Sequence, residues 1–157
     1  MRRITALLHT QNDERRVGRC LETLYPCDEI VVVDHGSRDE TLRVAREYGA
    51  WIVAAKDGAA ASEYIREAVT GWILCLDPRE SLTEGLAASL FDWKSQSVVA
   101  DAFAFWLREE TREGWVQNAT THTRLVPSSW KDWNGLFPVK RPSAVALEGE
   151  LLRFVFP

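Results

Sequence analysis

The chain's 157 residues suffice for one domain with a real core, and a 46% hydrophobic share beside 27% charged residues belongs to a globular protein. Its net charge of −4 argues against nucleic acid, which needs a basic surface, but not against a small phosphate-bearing ligand held locally. No apolar run approaches the roughly 20 residues that span a bilayer, and Ile4 to Leu8 is too short for a signal-peptide core, so a cytoplasmic chain is expected, with peripheral contact to a membrane or to a second copy left open.

Ile4 to Thr10 (ITALLHT) is an apolar run that ends on polar residues, which predicts a buried strand. Asn12 or Asp13 can cap the helix that follows, whose apolar positions Val17, Cys20, Leu21 and Leu24 keep helical spacing until Pro26 ends it. Glu29 to Asp34 is a second strand. Ser37-Arg38-Asp39-Glu40 has the form of a capping box opening a helix with Leu42, Ala45 and Tyr48 on one face, stopped by Gly49. Trp51 to Ala55 predicts a third strand, and a helix with Tyr64, Ile65, Ala68 and Val69 inward is expected before Gly71. Residues 72–76 (WILCL) form a fourth strand that again ends on an aspartate, Asp77. A second capping box, Ser81-Leu82-Thr83-Glu84, opens a helix through about Trp93.

Strands alternating with single helices predict an α/β fold: a mostly parallel central sheet with helices on both faces. From Ala100 the alternating segments Ala102 to Leu107 and Trp115 to Leu125 predict antiparallel strands added in the C-terminal third. Residues 151–157 read as a last strand or an apolar interface. Trp51 and Trp72, at strand starts, read as core, and Trp130 and Trp133 as loop residues able to stack on a sugar. Cys20, Cys27 and Cys75 have no C-x-x-C or zinc spacing and read as reduced core residues.

In open α/β sheets ligands bind beyond the carboxyl ends of the strands, where strand order reverses. Three such ends carry polar groups: residues 9–13 (HTQND), 34–37 (DHGS) and 77–80 (DPRE). Asp34 and Asp77 either begin loops and cap helices or face a ligand. The chain has no G-x-G-x-x-G, no G-x-x-x-x-G-K-[ST] and no G-x-S-x-G, which sets aside the dinucleotide fold, the P-loop and the nucleophile elbow. His9, His35 and His122 are scattered and read as surface or capping residues.

The ordered set ITALLHTQND, CDEIVVVDHGSRDETLRVAREYGA and GWILCLDPRE resembles the family 2 glycosyltransferases of the GT-A fold, in particular the bacterial enzymes that build lipopolysaccharide cores and cell walls. Such enzymes end their first strand P-T-Y-N-E, their second V-V-D-x-G-S-T-D-x-T, and their fourth D-W-I-L-x-L-D-A-D-E. The match covers roughly residues 3–92, and residues 123–139 carry a weaker echo of an R-L-F-R-R and tryptophan-glycine segment. The resemblance implies a GT-A-like (nucleotide-diphospho-sugar transferase) domain over 1–157. Within it, 1–95 would be the nucleotide-binding half and 96–157 a strand-rich acceptor-side segment, cut short against such enzymes. It implies a nucleotide-diphosphate sugar as donor and an envelope glycan or lipid-linked molecule as acceptor. Thr10, Gln11 and Asp13 would lie at the base, and Asp34 at the base or ribose. Asp77 would hold the ribose and a divalent metal, Mn or Mg, through the diphosphate, the metal offsetting the leaving charge.

The sequence departs from that pattern in three places. Arg79 stands where the second, metal-binding aspartate of D-x-D belongs. Hard cations need oxygen ligands, so a guanidinium there repels a metal, and it can face the phosphates itself. Residues 60–63 (AASE) lack the Arg-Asn pair found near the phosphates, and Arg66 comes a turn later. Val139-Lys140-Arg141 replaces a histidine–glutamate pair, which leaves the catalytic base unassigned; Glu109, Glu110 and Glu113 lie nearby, in a stretch that also reads as a solvated turn. The alternative from another class is a degenerate GT-A domain that serves as a binding or assembly partner. A nucleotidyltransferase ranks last, because HTQNDERR has no glycine.

Overall fold

The computed structural model describes residues 1–65, 71–97 and 99–156. Four strands, β1 (Ile4–Thr10), β2 (Glu29–Asp34), β3 (Trp51–Ala54) and β4 (Trp72–Leu76), are the four apolar runs of the first half. Between them lie α1 (Val17–Leu21), α2 (Thr41–Glu47) and a single 3-10 turn, Ala61–Tyr64. Then come β5 (Glu80–Leu82), α3 (Glu84–Ser95), β6 (Phe103–Thr111), β7 (Gly114–Gln117), β8 (His122–Pro127), a small hairpin of β9 (Trp133–Asn134) and β10 (Phe137–Pro138), and β11 (Val145–Arg153).

The main sheet runs β3-β2-β1-β4-β8-β6-β11-β5, with β7 paired on β6. Its first four strands are mutually parallel. β8 is antiparallel to both β4 and β6, and β6 is parallel to β11. The result is the expected mixed α/β fold, parallel in the N-terminal half with antiparallel additions from the C-terminal third. Because the chain leaves β1 to one side for β2 and β3 and crosses back to β4 on the other, the order reverses at the β1–β4 pair, which opens a crevice at their carboxyl ends.

The pleat sorts the strand residues onto two faces. Ala6, Leu8, Val32, Leu74 and Leu76 face one core cluster, which α1, α2 and α3 cover with Val17, Cys20, Ala45, Leu86, Leu90 and Trp93. Leu7, Val31, Val33, Ile73 and Cys75 face the other. Helices were expected on both faces. On the second face, the helical cover among the described residues is the 3-10 turn carrying Tyr64, joined by Trp130, Trp133 and Phe137. Ala68 and Val69 of the expected helix, and Arg66, lie outside the described residues.

Several local expectations are corrected. Ser37 caps no helix: α2 begins at Thr41, and the Ser37 hydroxyl donates to Asp34 Oδ1 at 2.5 Å while accepting from the Asn12 amide. The second capping signal is displaced by two residues, since Thr83, not Ser81, is the N-cap of α3 and accepts from the Leu86 amide. Trp51 is exposed because β3 is an edge strand, and Tyr48 faces solvent as well. Trp72 packs edge-on against Trp93 and Phe103. All three cysteines are free thiols, with Cys20 and Cys75 buried. Among the described residues, no helix is long and apolar enough to cross a membrane.

Candidate functional site

The carboxyl ends of β1, β2 and β4 converge on an open cleft of about 390 Å³. His9, Thr10 and Gln11 line it from β1, His35 from the end of β2, and Asp77, Pro78 and Arg79 from the end of β4; Asp13, Arg16, Leu136 and Val155 complete the wall. Five of the six residues singled out from the sequence (Thr10, Gln11, Asp13, Asp77 and Arg79) are therefore brought together. Asp34 is not among the lining residues. It lies behind them, buried, where its carboxylate accepts from the Thr10 hydroxyl at 2.9 Å and from the Ser37 amide at 2.8 Å. Burial alone would raise its pKa, but the bonds from Ser37 and Thr10 outweigh burial and hold it below the usual carboxylate range.

The loops after β1 and β2 are laced together. Asn12 adopts a left-handed conformation (φ 53°), which turns its side chain to accept from the Arg38 amide. The Asp13 amide donates to Thr41 Oγ1, and the Glu14 amide to Asp39. Ser37 thus satisfies a loop amide instead of a helix end, while Asp39 takes both the Glu14 amide and the first amide of α2, from Thr41, and together they fix the rim of the cleft. Asp13 itself accepts from the Gln11 amide at 2.8 Å and pairs with Arg16 at 3.2 Å.

Residues 77–80 wrap upon themselves. Arg79 donates Nε to Asp77 Oδ1 at 2.9 Å and Nη2 to Oδ2 at 3.1 Å, and its backbone amide also donates to Oδ1. Burial pushes the Asp77 carboxyl upward, but these Arg79 contacts prevail and leave its pKa lowered. Both oxygens that would hold a metal are thus occupied by a cation. Asp13 Oδ1 and Oδ2 are engaged as well, and among the described residues no group of three or more His, Cys, Asp or Glu side chains could hold a metal ion. The residues present do not fit a divalent metal, which needs several free oxygen donors.

Two features were not legible beforehand. His9 Nδ1 lies 2.9 Å from His35 Nε2 within the cleft, and the His9 ring meets Tyr64 edge-on at 5.8 Å. Burial, then His35, lower the His9 pKa to about 4, so the ring is neutral at physiological pH. Beneath Asp77 lies Glu80, fully buried, gripped by Arg124 and Arg153; it also accepts from the Asp77 amide at 2.9 Å, so it positions the β4 turn from below. Arg124 falls in the segment 123–139 that carried the weaker echo, but nothing in that pattern pairs it with Glu80. Of the candidate bases, Glu109 pairs with Arg153, Glu110 accepts from the Val155 and Phe156 amides, and Glu113 is exposed at the β6–β7 turn. None of the three lines the cleft. Trp130 and Trp133 pack on the second core face, and Arg141 stacks over Trp130 at 4.6 Å.

No family model matches the chain. It is 35% identical over 122 residues to a TPR repeat-containing protein of Synechococcus elongatus, a match that takes in 74% of this chain and 30% of that protein. It is 38% identical over 65 residues to the 4,4'-diaponeurosporenoate glycosyltransferase of Staphylococcus aureus, covering 39% of this chain and 17% of that one. Among solved structures, the glucosyl-3-phosphoglycerate synthase of Mycobacterium tuberculosis, in complex with Mn²⁺, uridine diphosphate and glucosyl-3-phosphoglycerate, aligns with a TM-score of 0.43 at 18% identity, over 69% of this chain and 43% of that one. The chain spans less than a third of the length of these two curated relatives. Over part of its length, it is similar to glycosyltransferases.

Proposed function

We propose that the chain is a GT-A-like domain of the family 2 type that binds a nucleotide-diphosphate sugar in the cleft at the ends of β1 and β4 and transfers the sugar to an envelope glycan or a lipid-linked acceptor. The observation that carries this reading is the convergence of Thr10, Gln11, Asp13, Asp77 and Arg79 at a strand-order reversal, where an α/β sheet takes its ligand. Gln11 and the β1 rim face the base, with Asp34 holding that rim in shape through Thr10 and Ser37. Asp77 faces the ribose and Arg79 the phosphates. Residues 1–95 then form the nucleotide half and 96–157 the acceptor side, and the work is cytoplasmic, at or near the inner-membrane surface.

A specific observation supports a second reading, a domain that binds but does not transfer. Among the described residues, the carboxylates that line the cleft are Asp13 and Asp77, and both are already engaged by internal donors, which leaves neither placed to deprotonate an acceptor hydroxyl. Incubation with UDP- and GDP-sugars, following release of the nucleoside diphosphate, separates the readings. Release that rises with added glycan or lipid-linked acceptor supports transfer. Nucleotide binding without release supports the binding domain, and the absence of both sinks the nucleotide reading.

A further inference from the structure

We infer that the cleft takes its diphosphate without a metal, on the guanidinium groups of Arg79 and Arg16, each of which exchanges an internal carboxylate for phosphate oxygens. This rests on the nucleotide reading of the cleft and names what neutralises the phosphates there.

Both arginines line the cleft, and each is parked on a carboxylate of the same cleft: Arg79 on Asp77 at 2.9 Å and Arg16 on Asp13 at 3.2 Å. Their side chains are 40% and 36% exposed, so the pairs are solvent-screened and hold weakly against a competing anion. The Arg79 fork already meets two oxygens of one planar anion, the geometry that also fits a phosphate. Arg16 spends one nitrogen on Asp13 and keeps further N–H donors for a second phosphate.

A third cation stands one turn along α1. Arg19 lies with its guanidinium 3.7 Å over the Phe154 ring, and its buried Nη2 has no hydrogen-bond partner. The Phe154 amide donates to the Arg79 carbonyl at 2.9 Å, which ties this stacked arginine to the same wall. Arg19 stands behind the wall and does not line the cleft, so Arg79 and Arg16 are the two guanidinium groups placed where a D-x-D site would gather oxygens around a dication. The exchange also has a consequence for Asp77: once Arg79 turns to a phosphate, both Asp77 oxygens are free to accept from ribose hydroxyls. Because one residue cannot both repel a dication and leave room for it, metal and Arg79 are alternatives at this position.

The test is calorimetric titration of the full chain with UDP and with GDP, in EDTA and then in Mn²⁺, on the wild type, Arg79→Gln, Arg16→Gln and Arg79→Asp, each checked for an unchanged thermal melt. The expected results are wild-type binding of at least one nucleotide that EDTA leaves intact, a loss of tenfold or more in Arg79→Gln, a smaller loss in Arg16→Gln, and, in Arg79→Asp, binding that appears only with Mn²⁺. Wild-type binding that requires Mn²⁺ overturns the inference and leaves the nucleotide reading standing. Metal-free binding that Arg79→Gln does not weaken overturns the role of Arg79. Failure to bind either nucleotide with or without metal overturns both the inference and the reading beneath it.

Discussion

Arg124 holds the carboxylate of Glu80 in two parallel bonds, Nη1 to Oε1 at 2.6 Å and Nη2 to Oε2 at 2.9 Å, with the two side chains 3% and 0% exposed. Arg153 adds a second cation on Oε2 at 2.9 Å, and the Asp77 amide claims Oε1. Burial would raise the Glu80 pKa, but the charge and bonds of Arg124 prevail and keep it lowered. The cleft's β4 turn therefore stands on a buried ion cluster.

Removing one member of such a cluster leaves a buried charge without compensation. Glu80→Ala is expected to cost about 3–5 kcal/mol in urea unfolding. By contrast Arg43→Ala, which breaks equally short but exposed pairs with Glu40 and Glu47, is expected to leave the midpoint nearly unchanged. The sign with pH follows from the lowered pKa of Glu80. Its contribution is complete above the ordinary glutamate value and is lost as pH falls through the folded one.

His9 titrates in a different window. Its pKa falls from 6.5 to about 4, so between those values the unfolded chain takes up a proton that the folded chain refuses. Stability is expected to decline as pH drops from about 6.5 towards about 4, before the carboxylates respond. His9→Gln is expected to flatten that part of the melting profile. An imidazole resonance that titrates near 4 in the wild type checks the assignment directly.

Gly149 sits at φ +94° where β11 slips register against β6, and a Cβ there would come within 2.4 Å of the Leu86 amide nitrogen in the first turn of α3. Backbone cannot retreat as a flexible side chain can. Gly149→Ala is therefore expected to destabilise by more than the roughly 1–2 kcal/mol expected of left-handed strain alone. Gly58→Ala, at φ +74° with nothing within 4 Å, isolates that strain and is the control. Unfolding midpoints of the two variants decide it.

Trp93 is fully buried between Trp72 and Phe103, with the Arg2 guanidinium 4.4 Å over its ring and its own indole N–H without a partner. Trp93→Ala is expected to cost about 3–5 kcal/mol through the cavity it leaves. Trp93→Phe also removes the unsatisfied donor, and is expected to cost well under half as much in the same unfolding assay.

The parallel half of the sheet was legible because each strand is a near-continuous apolar run that stops on a polar residue at the ligand edge. That periodicity placed Thr10, Asp34 and Asp77 at strand ends, where β1, β2 and β4 put them. Sequence spacing does not reveal which strand is last in the sheet, so Trp51 looked like core but lies exposed on edge strand β3. Nor does a local capping signal reveal a competing partner: Ser37 reads as a helix cap until Asn12, 25 residues away, is brought beside it and Asp34, three residues back, takes its hydroxyl. Glu80 is the same case in a sharper form. Inside DPRE it looks like a solvated loop residue, and only the pairing of β4 with β8 and of β5 with β11 brings two arginines, 44 and 73 residues away, onto its carboxylate.

The central claim is that the cleft at the ends of β1 and β4 is a nucleotide site, and amide chemical shifts of the ¹⁵N-labelled chain titrated with UDP and with GDP test it most directly. The account predicts saturable shifts at Thr10, Gln11, His35, Asp77 and Arg79 with at least one of the two, while the exposed face of α2 stays unmoved. Titrations that leave those five amides in place with both nucleotides, or that move only residues elsewhere, would contradict it.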